Sequence, residues 1–482
     1  MNRPATAAAP QLTEPASNSP PRRAEPERLL AAPPLRAIVR LAAPTSGVMV
    51  IAAVSNILYT YFVSRLGAEA IAAVSLVFPL SLIATTMMGG GIGSGAASAV
   101  ARALGAGRKR DAVAVAEHAL VLSVATGALF GLGILVGGPA LFRLMGGTGV
   151  VLERATVFAQ VLFGGAAITF VGGMLDSILR GEGNVRVAAV WSTMSILLQI
   201  VLTPVFMFWL GLNLPGAAMA TLASQLIATV PRAYYVFSGR SMVTPALRLR
   251  GFTMAPLAEI LRVGIPASLS TLISYVGIMT LTGVLARLGD AHLAAYGLGT
   301  RLDFLMLTLA YGFGAAVLTL VGMATGAQRP DRARAYVVRA GAMIVSVLAV
   351  PSALLCWRPE LWLNIFTHDP GIHAVGEQYF RIIGPSYPFV GVSMVIAFAF
   401  QGLGRATLPL MLMTVRVIAV LAVSLVCTQW LGMADRAVFI SVAVGNVCSA
   451  AVMVTLFTRT HRGLRRRMSE ARAASAADRA EG

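Results

Sequence analysis

Two ionisable residues lie where a charge is expensive. Asp303 sits about 12–14 residues into an apolar stretch that begins near residue 291, which at 1.5 Å per residue places it near the middle of a spanning helix. Arg416 lies about nine residues into another such stretch. A lone charge at that depth costs at least ~2.5 kcal/mol, so each needs a reason to be there. A buried acid can hold Na⁺ when ionised or carry a proton when neutral. Two readings follow: the residues form a mutual ion pair that locks this half of the chain, or Asp303 is the group that titrates or binds a cation. Other charges sit shallower. Asp176 precedes Arg180 by four residues near a helix end, a spacing that lets the two pair across one turn. Glu117 and His118 are expected at the interface, about 6–9 Å inside their helix. The five histidines (His118, His292, His368, His373, His461) form no HExxH pattern, and Cys356, Cys427 and Cys448 show no CxxC spacing. No enzyme, metal site or disulfide framework is expected.

The elements that must position these residues are membrane helices. The chain is 57% hydrophobic and only 12% charged, with mean hydropathy +0.77. Twelve apolar segments are each long enough to cross a bilayer: roughly 38–63, 69–99, 113–138, 155–179, 187–210 and 214–238, then 260–286, 291–323, 334–356, 374–400, 407–431 and 436–458. The fold class is therefore all-α and polytopic. A net charge of +18 would suit nucleic acid, but the arginines sit in short connections between apolar runs, the pattern that orients a membrane protein. No nucleic-acid partner is expected. Alternate connections carry Arg102, Arg108, Lys109 and Arg110, then Arg180 and Arg186, Arg240, Arg248 and Arg250, Arg329, Arg332 and Arg334, and Arg405. Both termini are therefore expected in the cytoplasm, with the chain in the inner membrane.

The chain also repeats itself. Ile38-Val39-Arg40-Leu41-Ala42-Ala43-Pro44 returns as Ile260-Leu261-Arg262-Val263-Gly264-Ile265-Pro266, an offset of 222 residues. Gly105-Ala106 returns as Gly326-Ala327, and Arg180-Gly181-Glu182-Gly183 as Gln401-Gly402-Leu403-Gly404, both offset by 221. Such constancy marks a duplicated unit. Six helices per half is an even number, so the halves should insert alike, related by a pseudo-two-fold axis along the membrane normal. The expected organisation is a disordered tail over 1–35, a first lobe over 36–239, a basic linker over 240–256, a second lobe over 257–459 and a basic tail over 460–482. Gly89-Gly90-Gly91 with Gly93 marks a bend or close approach in the second helix. Pro44 is either a structural kink or a bending switch.

Pro44, Leu66-Gly67 to Ala73, Gly105-Ala106, Leu179-Arg180-Gly181-Glu182-Gly183-Asn184 and Val321-Gly322 to Gly326-Ala327 together resemble the MATE (multidrug and toxic compound extrusion) family. The likeness covers about residues 36–460. It implies a twelve-helix exporter with two six-helix lobes around a central cavity, moving small, often cationic or amphipathic molecules by alternating access in exchange for H⁺ or Na⁺. It implies no cofactor beyond that ion, and a monomer in the lipid bilayer. Many members keep an Asp fifteen residues after the first-helix Pro, where this chain has Tyr59; the Asn and Asp of the fifth helix are matched by Gln199 and Thr203, a sixth-helix Thr by Thr221, and the second-lobe Glu by Ser274. The resemblance thus implies a polar but uncharged first-lobe pocket of Asn56, Tyr59, Gln199, Thr203 and Thr221. A lipid-linked oligosaccharide flippase of the same superfamily is the nearest alternative, but its cavity would be expected to carry deep arginines, and the first-lobe helices show few. A membrane-embedded enzyme or a scaffold is the alternative from another class.

Overall fold

The computed structural model describes residues 25–246, 253–429 and 435–481. In a bilayer each backbone amide must be satisfied within its own segment, so apolar runs become helices. The first half contains α1 (Glu25–Ala31), α2 (Pro34–Ser64), α3 (Ala68–Thr86), α4 (Ile92–Gly105), α5 (Lys109–Leu144), α6 (Gly149–Gly164), α7 (Ala166–Gly181), α8 (Val185–Pro204) and α9 (Asn213–Phe237). The second contains α10 (Met254–Ala286), α11 (Asp290–Gly326), α12 (Pro330–Trp357), α13 (Glu360–Leu363), α14 (Pro370–Ile383), α15 (Tyr387–Gly402), α16 (Thr407–Gln429) and α17 (Asp435–Glu481). Among the described residues eleven spans are long and apolar enough to cross a membrane, and twelve when α6 and α7, bent by 48° at their junction, count as one. The glycines at 89–91 fall in a π-helical turn, Met87–Gly91, that separates α3 from α4. Helix α2 runs through Pro44 to Ser64 without interruption.

The two halves bury separate cores, but their first helices cross over. Ala37, Ile38, Leu41 and Ala42 at the start of α2 belong to the core of the second half, whereas Ile260 near the start of α10 belongs to that of the first.

Residues 25–35 depart from the expected disordered tail. Leu29 and Leu30 of α1 are buried, Tyr336 donates a 3.0 Å hydrogen bond to the Leu29 carbonyl, and Arg332 donates to that of Ala32 at 2.9 Å. The tail looks polar because two leucines suffice for one short helix when its partner lies some 300 residues away. At the other end α17 continues as helix to Glu481, beyond the expected boundary at 460. Residues 1–24 and the linker's Arg248 and Arg250 lie outside the described residues. The near part of the linker is held by Glu182, whose carboxylate accepts from Ser241 Oγ (2.7 Å) and the backbone N–H of Met242 (3.1 Å) and Val243 (3.3 Å).

The repeat reappears as paired contacts. A Cβ on Gly105 would overlap the carbonyl oxygen of Met323, and one on Gly326 that of Arg102; 105 and 326, and 102 and 323, are each 221 apart. Gly91 likewise faces Ser268 and Gly312 faces Ser46. Ser98 Oγ donates to the Gln401 carbonyl, and its counterpart Thr319 Oγ1 donates to that of Arg180 at 3.1 Å. These reciprocal contacts run across the junction of the halves, where α4 meets α11 at the end carrying the arginine-rich connections. One charged tie has no symmetric copy: Arg102 Nη2 meets Glu259 Oε1 at 2.8 Å. At its basic end the junction is closed.

Candidate functional site

Asp303 lies thirteen residues into α11 and is only partly exposed. It accepts one hydrogen bond on each oxygen, from Tyr387 Oη at 2.7 Å and Tyr379 Oη at 2.8 Å. Both tyrosines come from a span that breaks in mid-membrane. Pro385 has no N–H to continue the helix, so Gly384–Ser386 forms a 3₁₀ turn between α14 and α15, and the Gly384 carbonyl is satisfied by Ser352 Oγ. The break turns Tyr379 and Tyr387 onto the same carboxylate. Gly299, one helical turn before Asp303, makes the approach possible, because a Cβ there would overlap the Tyr379 ring. Tyr296 and Phe439 pack edge-on against that ring, with centroids 6.0 and 5.3 Å away.

Of the two readings of Asp303 and Arg416, the mutual ion pair is not formed: among the described residues Arg416 bonds to Asn446 and Asp303 to two tyrosines, and no ion pair within 4.0 Å joins them. Arg416 Nη2 donates to Asn446 Oδ1, and Asn446 Nδ2 donates to Ser386 Oγ at 2.8 Å. Ser386 neighbours Tyr387 in sequence. The hydrogen bonds from the guanidinium therefore end at the turn that breaks the helix, one residue from Tyr387. The geometry is a carboxylate held by two phenol donors, with a fixed positive charge nearby. Among the described residues no group of three or more His, Cys, Asp or Glu could hold a metal ion. One carboxylate matches one proton or one monovalent cation.

The first-half pocket is assembled in part. Gln199 Nε2 donates to Thr221 Oγ1 at 3.0 Å across α8 and α9, and Thr203 Oγ1 donates to the Gln199 carbonyl at 2.6 Å. Tyr59 is partly buried against the first-half core and Asn56 is exposed; no hydrogen bond joins either side chain to the Gln199 group among the described residues. In the other half, Ser274 Oγ turns back onto the Ser270 carbonyl at 2.8 Å.

A second charged cluster escaped the sequence. Asp176 Oδ1 meets Arg232 Nε at 3.1 Å, with the arginine side chain 2% exposed. Ser192 donates to Asp176 Oδ2 at 2.8 Å, and Arg232 Nη1 donates to the Gly172 carbonyl at 3.0 Å. The expected Asp176–Arg180 pair does not form; Arg180 Nη2 donates instead to Ser177 Oγ at 2.9 Å. A helix-to-helix partner won over the i,i+4 neighbour because Arg232 is buried and has no water to replace the carboxylate.

A family model described as MatE matches residues 44–205 and 266–428. The FAD transporter of Shewanella oneidensis is 26% identical over 383 residues, 78% of this chain and 84% of that protein. The probable multidrug resistance protein NorM of Thermotoga maritima is 24% identical over 392 residues, 78% and 82% of the two chains. Among solved structures, a MOP superfamily transporter from Pyrococcus furiosus superposes with a TM-score of 0.86 at 29% identity, covering 92% of this chain and 99% of the other. A multidrug resistance MATE family transporter solved in an outward-facing conformation gives the same four values.

Proposed function

This chain belongs to the MatE family, and on that premise we propose that it exports small amphipathic molecules in exchange for a proton carried by Asp303. The observation that carries the reading is the pair of tyrosine hydroxyls aimed at one carboxylate beside a broken helix. The donors stabilise the ionised acid. Adding a proton to one oxygen reverses one of the two hydrogen bonds. Binding Na⁺ would require both hydroxyls to turn their oxygens inward, so the proton is the easier occupant.

The substrate meets the first half, where Gln199 and Thr221 on α8 and α9 offer donors and acceptors without charge. Such a wall suits flat heteroaromatic molecules, a class that includes both flavins and many drugs. The basic end faces the cytoplasm by the arginine bias of the connections, with both termini there. The closed junction of α4 and α11 then shuts the inside of an outward-facing state. One chain supplies both halves of the cleft, so the protein works as a monomer.

The test is efflux of a dye panel from proteoliposomes under a pH gradient with Na⁺ equal on both sides, then under a Na⁺ gradient at equal pH. Efflux driven by pH alone is expected. Efflux driven by Na⁺ alone would replace the proton in this account.

A further inference from the structure

Helix α11 turns one face towards the first half. Along it Gly326 meets the Arg102 carbonyl, Gly322 faces the Ala101 side chain, Leu318 packs with Ala97, and Tyr311 lies beside Gly89 and Gly90. Residues three or four apart share a helix face, so Thr308, Phe304 and Arg301 continue this stripe towards the start of α11. There the stripe is uncovered: Phe304 is 42% exposed, and Arg301 is exposed as well. We propose that the uncovered stripe is the second-half wall of the substrate site and selects aromatic anions. Their rings stack on Phe304 and Tyr311 while Arg301 receives the negative group. This inference rests on the exporter reading above and names its substrate class.

The aromatic part is braced. Tyr275 of α10 stacks with Phe304, ring centroids 6.5 Å apart and planes 30° from parallel, and Phe398 packs edge-on against Tyr311 at 5.4 Å. A ring already held by another loses little freedom when a ligand stacks on it. The charge is one-sided. Arg301 lies 5.4 Å from the Phe366 ring centroid and among the described residues has no carboxylate partner. Asp303, two residues on, projects from the opposite side of the helix, onto Tyr379 and Tyr387. An anion on this stripe finds a counter-charge, and a cation finds none. From residue 301 to 311 the stripe runs about 15 Å, room for a fused ring system with its charge at one end.

The fold does not require these residues. Under the 222-residue offset Tyr275, Arg301, Phe304 and Tyr311 correspond to Ala53, Pro79, Leu82 and Gly89, so the first half folds with none of the four. The repeat also loses register at this level. Its offset is 222 between Ala72 and Ala294 and 221 between Gly105 and Gly326. The first half therefore carries one extra residue, and the π turn Met87–Gly91 absorbs it. Single π turns gather at functional sites, and this one sets Gly89 and Gly90 beside Tyr311.

The experiment is fluorescence anisotropy of the full-length protein in mild detergent with two dyes of one ring system, fluorescein as the anion and rhodamine 123 as the cation. Fluorescein should bind saturably and more tightly than rhodamine 123. R301Q should weaken fluorescein about tenfold without weakening rhodamine 123, and R301K should recover part of the loss. F304L and Y311L should each weaken fluorescein about fivefold, and Y311F, which keeps the ring, should recover most of the Tyr311 loss. Arg301 and Phe304 are exposed, so neither substitution empties a core. R358Q is the control: Arg358 is exposed and lies 5.5 Å from the Trp357 ring centroid, off the stripe, and its loss should leave fluorescein binding as in wild type. Tighter binding of rhodamine 123, or equal losses of both dyes in R301Q, overturns the anion as substrate class. Unchanged fluorescein binding in both F304L and Y311L overturns the stripe as the site. Binding needs no gradient, so pH-driven efflux without this selectivity would overturn this inference and leave the exporter reading standing.

Discussion

Arg416 gives its hydrogen bond to Asn446, which gives one in turn to Ser386, while both oxygens of Asp303 accept from tyrosines, Tyr387 and Tyr379. The two deepest opposite charges of the second half are neighbours in a network, each held by other groups. Removing one therefore leaves the other's hydrogen bonds in place. Asp303→Asn and Arg416→Gln should each lower thermal stability by much less than the ~3–5 kcal/mol typical of a broken buried pair. A double-mutant cycle should give a coupling below about 1 kcal/mol. A double variant that recovers most of a large single-site loss would restore the direct pair.

The opposite behaviour is expected in the first half. Arg232 and Asp176 touch at 3.1 Å with the arginine fully buried, so Arg232→Gln or Asp176→Asn alone should cost about 3–5 kcal/mol. Arg232→Met with Asp176→Leu should regain most of it, read as recovery of the unfolding midpoint. Additive losses in the double variant would mean that the two residues act separately.

The closed junction makes a prediction about conformation. Gly105 and Gly326 each admit the opposite backbone only because they lack a Cβ. Gly326→Leu should pry the basic ends of α4 and α11 apart while leaving each half folded. In a background without Cys356, Cys427 and Cys448, a cysteine at the fully buried Ala101 should gain maleimide labelling from that end. Unchanged labelling would show that the junction has room to spare.

Much of this was legible in the sequence because of its arithmetic. Offsets of 221 and 222 between Gly105 and Gly326, and between Ile38 and Ile260, survive in the fold as reciprocal contacts. They mark places where two copies meet across an axis, and only small residues fit there. The depth of Asp303 was legible too, from helix rise alone. Its partners were not: Tyr379 and Tyr387 read as two more aromatics in an apolar run, and they reach Asp303 only because the chain breaks at Gly384–Ser386. Arg232 was hidden by its place five residues from the end of α9, where an arginine ordinarily reaches water. Linear spacing favoured Arg180 as the partner of Asp176, and only the packing of α7 against α9 reverses that choice.

Glu182 gives the pH prediction. It lies just past α7, and burial pushes its carboxyl up from the ordinary 4.5 to about 7, against the hydrogen bonds of Ser241, Val243 and Met242 that pull it down. Between those values the folded protein holds a proton that the unfolded chain has lost. The stability tied to this group is full below pH 4.5 and fades as pH rises through 7. Glu182→Gln should flatten that slope, seen as an unfolding midpoint that changes less between pH 5 and pH 8 than in wild type. An unaltered slope would place the dependence elsewhere.

Proton carriage by Asp303 is the central claim, and proton movement itself is the most direct thing to measure. Purified protein in vesicles containing a pH-sensitive dye, at equal Na⁺ and with no imposed voltage, is given a substrate gradient and the internal pH is followed. Wild type should couple substrate movement to an opposite flow of protons. Asp303→Asn should bind substrate with affinity within about threefold of wild type, yet move no protons. Substrate-driven proton flow in Asp303→Asn equal to that of wild type would contradict the account.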